Sequence, residues 1–266
     1  MKIAVAVKQV AALDDEFELL DGGAGVDPDS LEWDLNEWDT FSLEAALEIR
    51  DAAVGEGHEV VVVTVGDEEA DEGLRSCLAK GADRAVRVWD EAIADTIDAL
   101  AVARVLAAAV VQESADLVLC GVQSSDAVNG ATGIALAGFL GLPHVAVVKG
   151  IELDGEGRTA TVQRELEGGL IETVRIGLPA LLTVQTGINE PRYATLRAIK
   201  QAREKPLAVT DLAGVGLDAG AVAAAAGARR VTLGEPDRGG GAEMLSGSAA
   251  EVAGRIAEIL RDRMAA

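Results

Sequence analysis

The sequence predicts an α/β fold with a doubly wound, mostly parallel sheet, and three observations lead to it. Apolar runs rich in β-branched residues alternate along the chain with segments of helical periodicity, which is the pattern of repeated strand–helix–strand units. Hydrophobic residues make up 49% of the 266 residues and aromatic residues only 3%. Alanine, valine and leucine must therefore fill the core, and small side chains let helices pack closely on a sheet.

The first half of the chain supplies the alternating elements. Strands are predicted for residues 2–7 (KIAVAV), 59–66 (EVVVVTVG), 84–88 (RAVRV) and 115–121 (ADLVLCG). Helices are predicted from Asn36 onward, over 67–81 with an end at Gly81, over 91–113 and over 130–141. The acidic, glycine-rich segment 14–30 is expected to form an excursion or hairpin instead of a helix.

Apolar spacing predicts which face two of these helices bury. The helix that Asn36 would cap is expected to bury Trp38, Phe41, Ala45, Ile49 and Ala52. The helix over 91–113 is expected to send Arg104 to the rim of the sheet and to bury Ile93, Ile97, Leu100, Ala107, Ala108 and Val111.

From about residue 143 the alternation of strand and helix gives way to strand patterns separated by Asp-Gly and Gly-Gly turns. This predicts a β-rich return onto the sheet. Residues 206–266 are rich in glycine and alanine and end in a predicted helix from about Ala249 to Met264. Such a tail packs poorly alone, so we expect a C-terminal arm laid on a partner or on the body. The expected boundary separates a domain of residues 1–205 from an arm of residues 206–266.

Charge and composition narrow the functional classes. The net charge of −22, from 23 basic and 45 acidic residues, argues against nucleic acid or an anionic membrane as the main partner. The opening MKIAVAVKQV has no signal-peptide layout, and the longest apolar stretches are shorter than the roughly 18 to 20 residues that span a bilayer. Cys77 and Cys120 lie in apolar surroundings and predict no disulfide framework. We therefore expect a soluble, cytoplasmic protein without membrane insertion.

The segment richest in binding chemistry is LCGVQSSDAVNGATG, residues 119–133. It leaves a predicted strand at Gly121, opens a helix near Thr132, and holds small and polar residues between them. Glycine permits close approach to a phosphate, while helix N-terminal amides and hydroxyl groups donate hydrogen bonds to an anion. Asp126 could accept a hydrogen bond from a ribose hydroxyl or turn the loop. The segment fits neither a Walker loop nor G-x-G-x-x-G, and an ordinary strand-to-helix turn is the alternative.

Other predicted strand ends would face the same crevice, because ligands in doubly wound sheets bind outside the carboxyl ends of the strands. They are Ala6 to Lys8 after the first strand and Val65 with Gly66 after the second, joined by the helix start at 36–39. Together with the loop they favour a nucleotide pocket. His58 and His144 are isolated, so no catalytic residue and no metal site are expected.

Six segments occur in order along the chain: VAVKQV, LNEWDTFSLEAALEIRD, LAKGADRAVRV, DLVLCGVQSSDAVNGATG, QRELEGGL and LPALLTVQTGINEPRYATLRAIKQAREK. Together they closely resemble the β subunits of electron transfer flavoproteins. The resemblance covers roughly residues 1–206 well and the tail loosely. It implies an adenine-nucleotide α-hydrolase-like, Rossmann-like fold and a heterodimer with an α subunit that holds a redox-active FAD, with the C-terminal arm packing on that subunit.

The resemblance also implies cofactor-binding residues. A structural AMP would be held by Ala6, Asn36, Glu37, Trp38, Asp39, Val65, Gly121, Gln123, Ser124, Ser125, Asp126, Asn129, Gly130, Ala131 and Thr132. Leu13 and Glu165 would lie at the FAD of the partner subunit. The loop lacks the second Asp and the Gln of the family's Asp-x-Asp-x-Gly-Gln pattern, so AMP, a second FAD as in electron-bifurcating relatives, and an empty pocket all stay open.

The last implied site is a loop near 189–203 that docks dehydrogenases, called the docking segment below. Leu196 would be its apolar anchor, Pro191 and Tyr193 would make it firm, and Lys200, Arg203 and Lys205 would form a positive patch. From the residues alone, Tyr193 and Leu196 would simply staple the following helix.

The implied function is electron transfer from dehydrogenases, through the FAD, to a quinone-linked oxidoreductase, with no bond-making chemistry by this chain. The alternatives are a stand-alone, stress-type α/β protein that binds adenine nucleotides, and a purely structural assembly partner.

Overall fold

A computed structural model describes residues 1–12, 18–23, 25–27, 30–53, 57–94, 98–229, 231–234, 242 and 244–264. The strands are β1 (Lys2–Ala6), β2 (Gln9–Ala11), β3 (Trp33–Leu35), β4 (Glu59–Val65), β5 (Arg84–Val88), β6 (Leu117–Gly121), β7 (His144–Leu153), β8 (Thr159–Leu166), β9 (Leu170–Gly177), β10 (Ala180–Val184) and β11 (Leu207–Thr210). The helices are α1 (Glu37–Ala52), α2 (Ala70–Lys80), α3 (Ala99–Glu113), α4 (Thr132–Leu140), α5 (Leu196–Ala202), α6 (Ala219–Ala225) and α7 (Ala249–Met264).

The described residues form a nine-stranded sheet in the order β11-β5-β4-β1-β6-β10-β7-β8-β9. Neighbours from β11 to β7 are parallel, whereas β7, β8 and β9 pair antiparallel. Helices α1, α2 and α5 cover one face of the sheet, and α3, α4 and α6 cover the other. The predicted doubly wound, mostly parallel α/β fold and the β-rich return are therefore confirmed.

The central strands are buried on both faces, as continuous apolar runs predict. In β4, Val60 and Val62 face the core beneath α1 and α2, and Val61 and Val63 face the core beneath α3. The carboxyl ends of β1, β4 and β6 meet at one edge of the sheet because the three strands are parallel neighbours.

The predicted buried face of α1 is partly wrong. The helix buries Leu43, Ala46 and Leu47, whereas most of the predicted stripe is half-buried and Ala52 is exposed. Asn36 occupies the N-cap position of α1 but makes no side-chain capping bond.

The predicted helix over 91–113 is also corrected. A 3-10 turn covers 91–93, and the α-helix begins at Ala99 with Asp98 as its cap, whose side chain accepts from the N–H of Ala101. Leu100 and Val111, expected in the core, are exposed, and Ile97 lies outside the described residues. The physical reason is that α3 is apolar on nearly all sides, so spacing alone cannot select the face that meets the sheet.

Arg104 was expected at the rim of the sheet. Its guanidinium lies 5.6 Å from the ring centroid of Phe139 on α4, a cation–π contact between two helices, and its place at the rim stays a prediction.

The first part of the expected C-terminal arm belongs to the body. β11 pairs with β5, and Leu212, Val215 and Val222 are buried in the core beneath α3. Asp98 accepts hydrogen bonds from the backbone N–H groups of Gly227 and Ala228, both at 2.7 Å. Helix α7, by contrast, has no buried residue, and its packing on a partner stays a prediction.

The excursion before α1 is a hairpin over its described residues. β2 and β3 pair antiparallel, and Leu19 bridges Val26. Leu13 lies outside the described residues. In the described part of the chain, no helix is both long and apolar enough to cross a bilayer.

Candidate functional site

A cavity of about 420 Å³ lies at the carboxyl ends of β1, β4 and β6. The predicted residues that line it are Ala6, Asn36, Asp39, Val65, Gly121, Gln123, Ser124, Asp126, Asn129, Gly130, Ala131 and Thr132. Helix α3 and its capping residue Asp98 also line the cavity, through Asp98, Ala99, Val102 and Leu106. The position is the one where doubly wound sheets bind ligands, and the volume is that of a small-molecule site.

Three predicted residues do not line this cavity. Glu37 is exposed on α1. Trp38 donates from its indole Nε1 to Gln185 Oε1 at 2.9 Å, and Ser125 donates its backbone N–H to Asn36 Oδ1 at 3.2 Å. Trp38 and Ser125 therefore hold neighbouring segments together around the cavity.

Asp39 joins the ends of β1 and β6 beneath the cavity. Its side chain is buried, and its two oxygens accept from the backbone N–H of Lys8 at 2.8 Å and of Gly121 at 2.9 Å. Burial raises the pKa of Asp39 to about 7, although these hydrogen bonds, the Asn36 side chain and the Lys8 charge act in the opposite direction. Position 121 requires glycine, because a Cβ there would lie 2.5 Å from Trp38 Cβ and 2.6 Å from Asp39 Oδ1.

Asn36 joins the start of α1 to the loop after β6. Its Nδ2 donates to the carbonyl of Gln123 at 2.9 Å, and its Oδ1 accepts from the N–H of Ser125. The side chain expected to cap α1 instead fixes the loop against the helix start. The contact spans 87 residues of sequence, so local cap statistics could not indicate it.

Lys8 is a functional candidate that sequence reasoning missed, because a single lysine after a strand carries no specific signal. Its Nζ donates to both carboxylate oxygens of Asp126, at 2.7 and 2.6 Å, and to Ser124 Oγ at 3.4 Å. Burial alone would raise the pKa of Asp126, but the hydrogen bonds from Lys8 and Ser124 hold it below its ordinary value. Among the described residues that line the cavity, Lys8 alone carries a positive charge.

The loop ends at the first turn of α4, where Ala131 and Thr132 line the cavity. The first N–H groups of a helix have no partner within the helix and can donate to an anion. Gly133 lets this helix approach the sheet, because a Cβ there would lie 2.6 Å from both Cys120 Sγ and Thr183 Cγ2. Lys8 and the amides of this turn are the donors that an anionic group in the cavity would meet.

A larger groove, of about 1050 Å³, lies at the opposite edge of the sheet. Met1, His58 and Asp116, which precede β1, β4 and β6, form part of its lining. Because these are the amino ends of the strands, the groove is not where the fold binds nucleotides.

Glu165 lies near the end of β8 and forms an ion pair with Lys149 at 3.4 Å. The following turn at Gly168 and Gly169 leads into Leu170 and Ile171, both exposed on the edge strand β9. This tip is distant in sequence from the cavity at the ends of β1, β4 and β6 and presents both charge and apolar surface.

The docking segment differs from its expected form. Leu196 is 80% exposed at the start of α5, where Thr195 Oγ1 accepts from the N–H of Ala198 at 3.2 Å. Tyr193 is 96% exposed, so it neither stiffens the segment nor staples the helix. Lys200 and Arg203 are exposed, but Lys205 donates to the carbonyls of Leu78 and Ala82 and does not belong to the expected positive patch.

Comparisons with known proteins agree with this geometry. The model of the electron transfer flavoprotein domain matches residues 25–214. The electron transfer flavoprotein subunit beta of Methylophilus methylotrophus is 48% identical over 262 residues, covering 98% of both chains. The subunit beta proteins of Bradyrhizobium diazoefficiens and Homo sapiens are 36% and 35% identical and cover 82% of this chain and 84% of their own.

The family model covers the docking segment and the cavity-lining residues from Asn36 to Leu136, and the match to the Methylophilus relative covers nearly the whole chain. The chain therefore belongs to the electron transfer flavoprotein family, as a member of its beta subunits.

Proposed function

We propose that this chain holds AMP at the carboxyl ends of β1, β4 and β6. The observation that carries this proposal is the meeting of Lys8, the loop after β6 and the first turn of α4 at one cavity of about 420 Å³. The phosphate would lie against Lys8 and the α4 amides, and the adenine against the strand ends at Ala6 and Val65. The cavity size favours a mononucleotide over FAD, which adds a second nucleotide half.

We further propose that the chain pairs with an α subunit and walls the FAD that this subunit holds. Glu165 and the exposed tip of the β8–β9 hairpin support this role, because an exposed apolar edge next to a charged pair suits a protein–cofactor interface. The role of Leu13 is part of the same proposal. Bound FAD supplies the electron-accepting chemistry, while this chain orients and shields it and makes no bonds itself.

The proposed route of electrons begins at a dehydrogenase that docks on Tyr193, Leu196 and Lys200 and ends at a quinone-linked oxidoreductase. An exposed leucine at a helix start is the kind of anchor that enters an apolar pocket on a partner. The arm beyond Ala228, including α7, which has no buried residue, would pack on the α subunit. The cytoplasm is the proposed compartment, since Cys77 and Cys120 are buried and free.

The test is to purify the heterodimer, denature it and count the released nucleotides by chromatography. One FAD and one AMP for each heterodimer is the expected result. Two FAD molecules without AMP would support the bifurcating type instead, and a colourless chain that forms no flavoprotein and turns over ATP would support the stress-type alternative.

A further inference from the structure

The docking segment combines an exposed apolar surface with an unusually firm attachment. Tyr193, Leu196 and Ile199 are 96%, 80% and 44% exposed. Leu196 and Ile199 are three residues apart on α5 and share one side of that helix, and Tyr193 stands three residues before its start. Apolar side chains grouped in this way on a surface mark sites of protein contact. Their flexibility decides how much entropy a partner must remove on binding.

Arg192 attaches this segment to α1. Its Nε donates to both oxygens of Glu44, at 3.0 and 2.9 Å, and its Nη2 donates to Glu44 Oε1 at 2.9 Å. Its backbone N–H reaches Glu44 Oε2 at 3.0 Å, and its Nη1 reaches Asp51 Oδ2 at 3.0 Å. Glu44 is buried, so the interaction is a shielded, multiply bonded pair, stronger than a surface ion pair.

The remaining contacts hold the two ends of the segment. At its start, Asn189 Nδ2 donates to the carbonyl of Phe41 on α1 at 3.0 Å. At its end, Arg75 on α2 donates to the carbonyls of Ala202 and Lys205, both at 2.8 Å. Arg192 is the contact nearest to the exposed trio, and it stands directly before Tyr193.

We propose that Arg192 is a positioning residue that fixes the docking segment on α1 before any partner arrives, so that Tyr193, Leu196 and Ile199 form a preformed surface. The inference rests on the proposed docking function. A guanidinium is required because its planar fork satisfies both oxygens of Glu44 while its third nitrogen reaches Asp51. A preformed surface lowers the ordering cost of association and leaves the electron-transfer step unchanged.

The experiment uses the flavin-loaded heterodimer and the dehydrogenase from the same cells, purified by its ability to reduce that heterodimer. Arg192→Gln is expected to raise the KM for the heterodimer about tenfold with kcat and FAD content unchanged. Hydrogen exchange of the amides in 196–202 should quicken by at least tenfold while amides of β1 and β4 keep their rates. Arg192→Lys should have a KM and an exchange rate between those of the parent and of Arg192→Gln, because lysine keeps the charge and loses the planar fork.

Two comparison variants separate the possible failures. Arg158→Gln removes an exposed arginine–glutamate pair on the β7–β8 turn and should change neither measurement. If Leu196→Ala leaves KM unchanged, the docking function itself is wrong. If Leu196→Ala raises KM but Arg192→Gln changes neither KM nor local exchange, the positioning role of Arg192 is wrong. If Arg192→Gln does not assemble, Arg192→Lys is judged by the same two measurements.

Discussion

Two connections leave neighbouring strands at the same edge of the sheet and, in the proposed function, serve different kinds of recognition. β6 and β10 are parallel, with Gly121 paired to Val184, and each continues through a loop into a helix. The loop after β6 lines a cavity and leads there into the first turn of α4, whereas the docking segment after β10 runs along α1 and leaves Leu196 in solvent. The connectivity is the same, so in the proposed function the side chains that hold each connection in place decide whether it binds a small anion or a protein.

Each connection is held in place by a buried carboxylate, Asp39 for the first and Glu44 for the second, and the two carboxylates have different partners. Asp39 accepts two backbone N–H groups at the nucleotide cavity, whereas Glu44 is paired with the guanidinium of Arg192. Amides leave the charge of Asp39 uncancelled, while the guanidinium cancels that of Glu44. The carboxylate of Asp39 is therefore open to protonation.

The largest expected effect concerns the pH dependence contributed by Asp39. Its folded-state pKa of about 7 lies above the ordinary value of 3.8, so folding favours the neutral acid. The contribution to stability is full below pH 3.8 and is lost as the pH rises to about 7, by up to about 4 kcal/mol. Urea unfolding of the parent and of Asp39→Asn, which imitates the neutral acid, should show the parent losing stability relative to the variant over this range. A difference that does not vary with pH would contradict the assignment.

The next largest expected effect is a steric clash at the loop after β6, and it does not involve the docking segment. Gly121→Ala should lower the free energy of unfolding by roughly 3 kcal/mol and release the nucleotide, because the added Cβ overlaps Trp38 and Asp39. Gly155→Ala is the matched control, since nothing lies within 4 Å of a Cβ at that turn. Equal unfolding midpoints for the two variants would show that the close approach at Gly121 is not required.

A smaller effect separates phosphate recognition from adenosine recognition. Lys8→Gln should weaken AMP binding to the nucleotide-stripped heterodimer by about 30-fold, or ~2 kcal/mol, and leave adenosine binding unchanged. Asp126→Asn should strengthen AMP binding a few-fold by freeing Lys8, and Lys200→Gln should have no effect. Titration calorimetry measures all three. If Asp126→Asn weakens adenosine instead, Asp126 binds the ribose.

The smallest effect tests the docking side. Tyr193→Ala should change the free energy of unfolding by less than about 0.5 kcal/mol, because the side chain is almost fully exposed. If Tyr193 were a stapling or stem residue, the loss would exceed 1 kcal/mol on the scale of buried aromatic contacts. Chemical denaturation of the heterodimer decides between them.

Much of the fold could be read from the sequence because the central strands are continuous β-branched runs, such as residues 59–66, bounded by glycine and polar turns. The place of β10 between β6 and β7 could not be read, because strand order depends on pairings between distant segments. The buried face of α3 was misassigned because an alanine- and valine-rich helix has no polar side to orient it.

The site was predictable where its chemistry is local. The loop from Gly121 to Thr132 could be recognised in the sequence by its small and polar residues, and most of its predicted residues line the cavity. Lys8, Asn36 and Arg192 gain their roles from contacts across 87 to 148 residues. A single lysine after a strand or an arginine after a proline carries no such signal in the sequence.

The central claim is that the two neighbouring connections serve separate tasks. It is tested most directly by measuring bound AMP per FAD and the KM for the docking dehydrogenase on Lys8→Gln and Leu196→Ala heterodimers. The account predicts that Lys8→Gln loses AMP at an unchanged KM, and that Leu196→Ala keeps AMP with a KM raised about tenfold. If either variant changes both quantities, or Leu196→Ala changes neither, the separation is contradicted.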